Sequence, residues 1–248
     1  LCEFWTARMW YAAAHVIKKL IEQNIGDMLS FMDHSPKSKN YKELEHYLVS
    51  KEIIQPFEGY TPLDSFSQAH AERTYFRLQK LSALAQEKGI PLGSHDDKTL
   101  QRLDVIAHLG VTFCEFPETD ELAAEATNRG MYPIVGAPNT HRGSSHLNWL
   151  SAREAIKQKH AHIICSDYHP TILPAAIFSL FENKCCDLPE AICTASFNPA
   201  NALGLHDRGE IIPCKRADLA VVTLRNNFPM VTATWYNGTL IFARKEAL

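Results

Sequence analysis

The amino-acid sequence predicts a parallel α/β fold followed by a small β layer, on three observations. Short apolar runs recur at 1–4 (LCEF), 28–36 (MLSFMDHSP), 90–97 (IPLGSHDD), 111–119 (VTFCEFPET), 131–139 (MYPIVGAPN) and 162–170 (HIICSDYHP), each reading as a strand buried on both faces. Between the later runs, apolar residues return at helical spacing, so strand, helix and strand alternate at intervals of about 20 to 30 residues, the pattern of a parallel sheet with crossover helices. Near the C-terminus, HDRGEIIPCKRADLAVVTL and VTATWYNGTLIFA read as β-strands, with Asn237-Gly238 as a tight hairpin turn.

Each helix has its own warrant. Leu100, Leu103, Ile106 and Ala107 form one apolar face before a stop at Gly110, and Leu122, Ala123 and Ala126 form another before Gly130. The segment 35–89 is too long for a plain connection. It is expected to be an excursion over the active face, or a solvated helical spacer, ending in a helix within SFSQAHAERTYFRLQKLSALAQEKG that feeds the strand at Ile90. Past Asp167, DLPEAICTASFNPANALGL predicts two short helices, the second capped by Asn198 with Pro199 at its first position. The expected domains are therefore 1–206, carrying the parallel sheet, and 207–248, carrying the β layer. Residue 1 is a leucine inside what reads as a strand, so the sequence is expected to begin mid-domain.

Composition narrows the function. Hydrophobic residues make up 46% and charged residues 21%, with a formal net charge of −3, ordinary values that argue against a general nucleic-acid binder. No stretch reaches the roughly 20 apolar residues of a membrane span. Seven cysteines without a CxxC spacing predict a reducing, cytoplasmic setting. Twelve histidines favour metal or acid/base chemistry.

The chemistry gathers at strand ends. A buried parallel strand stays apolar until it surfaces, so acids and histidines at the carboxyl ends mark the ligand-binding face. His95 at one end and Asp167 at another can bind a divalent metal and lower the pKa of its water, unless they cap helices or bond backbone. Glu3, Asp33, His34 and Glu115 stand at further strand ends and could complete an oxygen and nitrogen ligand set for zinc, manganese or magnesium. Glu115 could equally pair with an arginine. The stretch GAPNTHRGSSHLN at 136–148 reads as a loop built to hold phosphate: bendable glycines, the hydroxyls of Ser144 and Ser145, helix amides near Asn148, and the planar charge of Arg142. A solvated surface loop is the plainer alternative.

These motifs also carry a resemblance. FMDHSP, SHDD, EFPET before an alanine-rich helix, GAPNTHRGSSHLN, SDYHP, NPANALGLHDRGEI and KRADLAVV occur in this order along nearly the whole chain. Together they resemble the phosphonate-metabolism (PhnM) branch of the amidohydrolase superfamily. The resemblance implies a TIM-like (β/α)8 metal-dependent hydrolase barrel plus β-sandwich strands. It also implies a substrate, α-D-ribose 1-methylphosphonate 5-triphosphate, from which diphosphate is released in the carbon-phosphorus lyase pathway. It makes Asp167 the proton acceptor for the attacking water, His95 a metal ligand and Glu3 a further one. Arg142, Ser144, Ser145 and His146 would bind phosphates, with Asn139 and Gly143 of the same loop in the substrate site.

The wider superfamily usually has a histidine where Glu115 stands, and His169 has no assigned role. Two barrel strands and a histidine motif would precede Leu1, so an incomplete barrel of about six strands is expected. The expected partner is a phosphorylated ribose-phosphonate, with no nucleic acid or membrane and with room for a homodimer. Two rival readings are hydrolysis of a C–N bond, as in deaminases and cyclic amidases, and a truncated, non-catalytic paralogue.

Overall fold

The computed structural model describes residues 10–32, 76–144 and 150–244. The chain divides into two compact units, Leu1–Gly93 and Ser94–Leu248. In the first, helix α1 (Trp10–Glu22) buries Ile17 and Ile21, one turn apart, and leaves the Lys18–Glu22 pair outside. It ends where Asn24 and Gly26 take positive φ. Strand β1 (Leu29–Met32) is buried at all four positions, and the backbone N–H of Leu29 donates to the Pro91 carbonyl at 3.0 Å. Helix α2, described over 76–87, lies within the stretch expected to be helical and turns Leu78, Leu81 and Ala85 inward at helical spacing.

The division between the units falls inside β2 (Leu92–His95). Then follow α3 (Leu100–His108), β3 (Phe113–Glu115), α4 (Asp120–Asn128), β4 (Tyr132–Gly136), α5 (Ala137–Arg142), α6 (Ala152–Lys157) and β5 (Ile163–Cys165). After a 3-10 turn at Pro170–Ile172 come α7 (Leu173–Glu182), α8 (Leu188–Cys193) and α9 (Phe197–Ala202). The strand order β1-β2-β3-β4-β5 is the order in sequence. A helix between strands that never reverse their order is the wall of a (β/α) barrel; an open doubly wound sheet would reverse at a switch point. Five of the six expected barrel strands lie among the described residues, and LCEF at 1–4 lies outside them.

Helix starts follow their capping residues. Thr99 Oγ1 accepts from the Arg102 N–H, Thr119 Oγ1 from Leu122 and Asp187 Oδ1 from Glu190, each worth about 1 kcal/mol. The helices lie close on the sheet because their inner faces are small. Ala123, Ala137, Ala152, Ala155, Ala176 and Ala191 are buried with Val135, Leu150, Ile156, Ile164 and Leu180 in one core. Here Asn198 departs from expectation. Helix α9 starts at Phe197 after Ser196, and the Asn198 amide donates instead to the His162 carbonyl at 2.8 Å, tying α9 to the start of β5.

The C-terminal sheet is three antiparallel strands, β6 (Leu219–Arg225), β7 (Phe228–Tyr236) and β8 (Thr239–Ala243). Asn237-Gly238 makes the predicted turn with both residues at positive φ, and Asn226-Asn227 makes a second one. The strand expected over HDRGEIIPCKRAD is absent: Gly209 and Cys214 take positive φ, Pro213 has no N–H to donate, and Arg216 N–H reaches back to the Asp207 carbonyl. The expected 206/207 junction lies inside the second unit, between α9 and β6. Among the described residues, no helix is long and apolar enough to cross a membrane.

Candidate functional site

Four strands end on one edge of the sheet. β2 ends in His95, β3 in Glu115, β4 in Gly136 and β5 in Cys165, with Asp167 two residues on. The parallel registers set Gly136 level with Cys165, while Glu115 pairs with Ile134, two residues earlier along β4. His95 is 9% exposed, and its Nδ1 lies 3.1 Å from Asp96 Oδ1. Its ring meets Phe116 edge to face, centroids 5.0 Å apart at 77°.

Gly136 makes room across the next strand. A Cβ there would meet Asp167 Oδ2 at 3.1 Å and Phe116 Cε1 at 3.6 Å, so carboxylate and ring lie over one bare stretch of β4. Asp167 Oδ1 accepts from the Tyr168 N–H at 2.7 Å, leaving Oδ2 over the glycine. The Phe116 ring, which meets His95, thus also borders the glycine face over which Asp167 Oδ2 lies. Glu115 is 4% exposed at the end of β3, and its carbonyl accepts from the Asp96 N–H at 3.0 Å.

The backbone turns sharply at this rim. Asp96, Phe116 and Asp167 take φ of 54°, 55° and 53°, a region open to Asp but uncommon for a bulky residue. The ladder nevertheless continues, with the Phe116 N–H on the Ile134 carbonyl at 2.9 Å. Just below lies Asp97, 1% exposed. Its Oδ2 accepts from the Ser94 hydroxyl and, at 3.3 Å, from the Cys114 thiol, while its Oδ1 accepts from Arg102 Nε at 3.3 Å.

The stretch read as a loop at 136–148 opens instead as helix α5, with Pro138 in its first turn. Asn139, expected to bind substrate, spends its amide on backbone: Nδ2 donates to the Leu150 carbonyl at 2.9 Å, and Oδ1 accepts from the Ala152 N–H at 3.3 Å. It clamps the returning chain. Gly143 closes the helix at φ 90°, and a Cβ there would sit 2.7 Å from an Arg153 guanidinium nitrogen. That guanidinium donates to the Thr140 and His141 carbonyls, covering the end of α5. Arg142 is exposed, its Nε donating to the Ser144 carbonyl at 3.1 Å, and Ser144 is exposed beside it. Ser145, His146 and Asn148 lie outside the described residues, as do Glu3, Asp33 and His34. His169 is exposed, its Nδ1 3.1 Å from the Thr171 hydroxyl.

A model of the family described as "Amidohydrolase family" matches residues 68–241, a span that includes this rim. The chain belongs to the amidohydrolase family. It is 32% identical over 237 residues to the α-D-ribose 1-methylphosphonate 5-triphosphate diphosphatase of Escherichia coli K12, a match covering 92% of this chain and 61% of that protein. The chain therefore spans about three fifths of that relative's length. An adenine deaminase of Lactobacillus delbrueckii subsp. bulgaricus is 28% identical over 145 residues, covering 57% of this chain and 25% of the deaminase. Among solved structures, an adenosine deaminase from Xanthomonas campestris with bound zinc has a TM-score of 0.52 at 16% identity, over 95% of this chain and 65% of that one. The PhnM-like character read from the motifs and the match along the chain point to one branch of the amidohydrolases.

Amidohydrolases typically depend on a divalent metal. The described residues do not assemble one by themselves: no three or more His, Cys, Asp or Glu side chains among them lie close enough to hold an ion. His95, Glu115 and Asp167 share the rim, and the other candidates, Glu3, Asp33 and His34, lie outside the described residues.

Sequence reading passed over Asp97, Arg102, Phe116 and Arg153. Asp97 stood in the quoted SHDD and Phe116 in EFPET, but a spacing cannot tell a buried carboxylate from an exposed one.

Cys165 reports on the same rim. Burial first, then the charge of Glu115, pushes its thiol up to about 12, against hydrogen bonding from the Asp167 backbone. Burial, followed by the Asp97 charge, also raises Cys114 well above the ordinary value. Because the thiolate is the nucleophile, alkylation of the native protein at pH 8 is expected to modify exposed Cys214 and spare Cys114 and Cys165. Peptide mapping checks this, and equal labelling of Cys165 and Cys214 would contradict the environment described.

Proposed function

We propose that the protein is a hydrolase of phosphoric anhydrides that cleaves the triphosphate of α-D-ribose 1-methylphosphonate 5-triphosphate and releases diphosphate, in cytoplasmic phosphonate catabolism. The observation carrying this reading is the 32% identity to a diphosphatase along 92% of the chain. A divalent ion, zinc, manganese or magnesium, would lower the pKa of its bound water.

Asp167 accepts the proton of the attacking water on Oδ2, its Oδ1 being held by the Tyr168 N–H. As the bond to the leaving diphosphate breaks, negative charge gathers on the departing oxygens, and a fixed cation there favours that state over the ground state. Arg142 serves this role, with Nε anchored on the Ser144 carbonyl and its two terminal amino groups offered to phosphate oxygens. Ser144, Ser145 and His146 follow it along the same segment as phosphate ligands.

Arg142→Ala is expected to lower diphosphate release about 100-fold without lowering the melting temperature, because the side chain is exposed and its hydrogen bond to the Ser144 carbonyl stays within its own loop. Arg142→Lys, a point charge without the planar fork, should restore only part of the rate. Turnover equal to the parent's would remove Arg142 from the site. The similarity to adenine deaminase favours a second reading, hydrolysis of a C–N bond. Parallel assays of diphosphate release from the triphosphate and ammonia release from adenine decide between the two.

A further inference from the structure

The geometry points to Phe116 as a positioning residue that holds His95 and Asp167 in register across the rim. This rests on the reading of that rim as the reactive site. Phe116 is a bulky side chain on a left-handed backbone, φ 55°, immediately before Pro117, where the proline ring itself pushes the preceding residue toward extended angles. A conformation unfavourable on both counts persists only when its surroundings impose it, and such residues cluster where a site needs them.

The surroundings are visible here. The Phe116 N–H stays in the ladder on the Ile134 carbonyl, so the kink does not unravel β3. It redirects the side chain. One part of the ring meets His95 at a 77° interplanar angle, and Cε1 reaches the bare face of Gly136, where Asp167 Oδ2 also lies. An extended backbone at 116 would aim the ring elsewhere, and a side chain on Gly136 would compete with both ring and carboxylate. Phe116 carries no titratable or metal-binding atom, so its contribution at the rim is shape. It limits the rotation of the imidazole and fixes its separation from the carboxylate, and small errors in such a separation cost rate steeply.

The test uses Phe116→Ala, Phe116→Leu, Phe116→Tyr and Phe116→Gly in the full chain. Glycine is the informative control, because it relieves the left-handed backbone while removing the ring. Positioning predicts that Phe116→Gly and Phe116→Leu melt at or near the parent temperature yet lose kcat about 10- to 100-fold with little change in KM, whereas Phe116→Tyr, which keeps the ring, restores kcat. The second readout is the His95 ring-proton resonances, identified by their loss in His95→Gln. They are expected to move in the glycine and leucine variants and to stay in place in the tyrosine variant, with the other histidines unaffected.

His95 resonances unmoved by loss of the ring, or a loss of kcat that only follows the folded fraction, would overturn the role. Should the parent release no diphosphate, the proposed reaction fails, and the His95 resonances alone decide whether Phe116 positions the imidazole.

Discussion

Asp167→Asn is expected to lower diphosphate release by about 10²- to 10⁴-fold, the range for removing a positioned general base. Its folding stability should stay within about 0.5 kcal/mol of the parent's, as for most exposed substitutions. The pairing of these two results is what makes the experiment decisive. Asp167 is exposed and sits at φ 53°, a conformation that asparagine tolerates as well as aspartate does. The amide oxygen can still accept the Tyr168 N–H now held by Oδ1. What asparagine lacks is a second oxygen able to take a proton over Gly136. Asp167→Ala is the poorer probe, because it strains the left-handed backbone and frees the Tyr168 N–H at once. Steady-state turnover with urea unfolding of the same preparation checks both halves. Turnover within threefold of the parent's would remove Asp167 as the proton acceptor.

The fold was largely legible because its signals are local. Apolar runs bounded by glycine and polar residues located β1 to β5, and the apolar faces before Gly110 and Gly130 located α3 and α4. Sequence order alone cannot say how strands neighbour one another, so the barrel wall depended on resemblance until the strand order supplied it. Failures came where a side chain had a distant alternative. Asn198 reads as a cap by type and position, yet the His162 carbonyl, 36 residues away, takes its amide. Asn139 sits in a motif that suggests ligand binding, but the returning chain at Leu150 and Ala152 uses both of its amide atoms.

Legibility of the site divides along the same line. Which residues stand at strand ends follows from the apolar runs: His95 meets the Phe116 ring, and Asp167 Oδ2 lies over Gly136 beside an edge of that ring. What holds them there does not follow, because it depends on conformation. Phe116 matters through a left-handed φ and Gly136 through Asp167, beyond the end of the next strand. Neither leaves a mark in residue spacing.

Asp97 carries the other large effect. Asp97→Ala is expected to destabilise the protein by about 3 kcal/mol, the lower end for breaking a buried ion pair by removing one partner, and a large share of the roughly 5 to 15 kcal/mol that a domain has to lose. The carboxylate is 1% exposed and collects three donors from three elements: Ser94 on β2, Cys114 on β3 and Arg102 on α3. Arg102 keeps 27% side-chain exposure and can turn to water, which is why the lower end applies. The Ser94 hydroxyl has a fallback on the Phe113 carbonyl at 3.4 Å. The Cys114 thiol is fully buried and would lose the carboxylate to which it donates.

Arg102→Ala leaves the opposite defect, a buried charge that has lost its cation, so the double variant should be less destabilised than the two single losses added together. A urea series on the two single variants and the double measures that coupling. Additive losses, or a loss below about 1 kcal/mol for Asp97→Ala, would show that the buried carboxylate does not hold these three elements together. Because Asp97 follows His95 by two residues, the same packing that stabilises β2 against β3 and α3 also fixes where the imidazole stands, so fold and candidate site are secured by one buried charge.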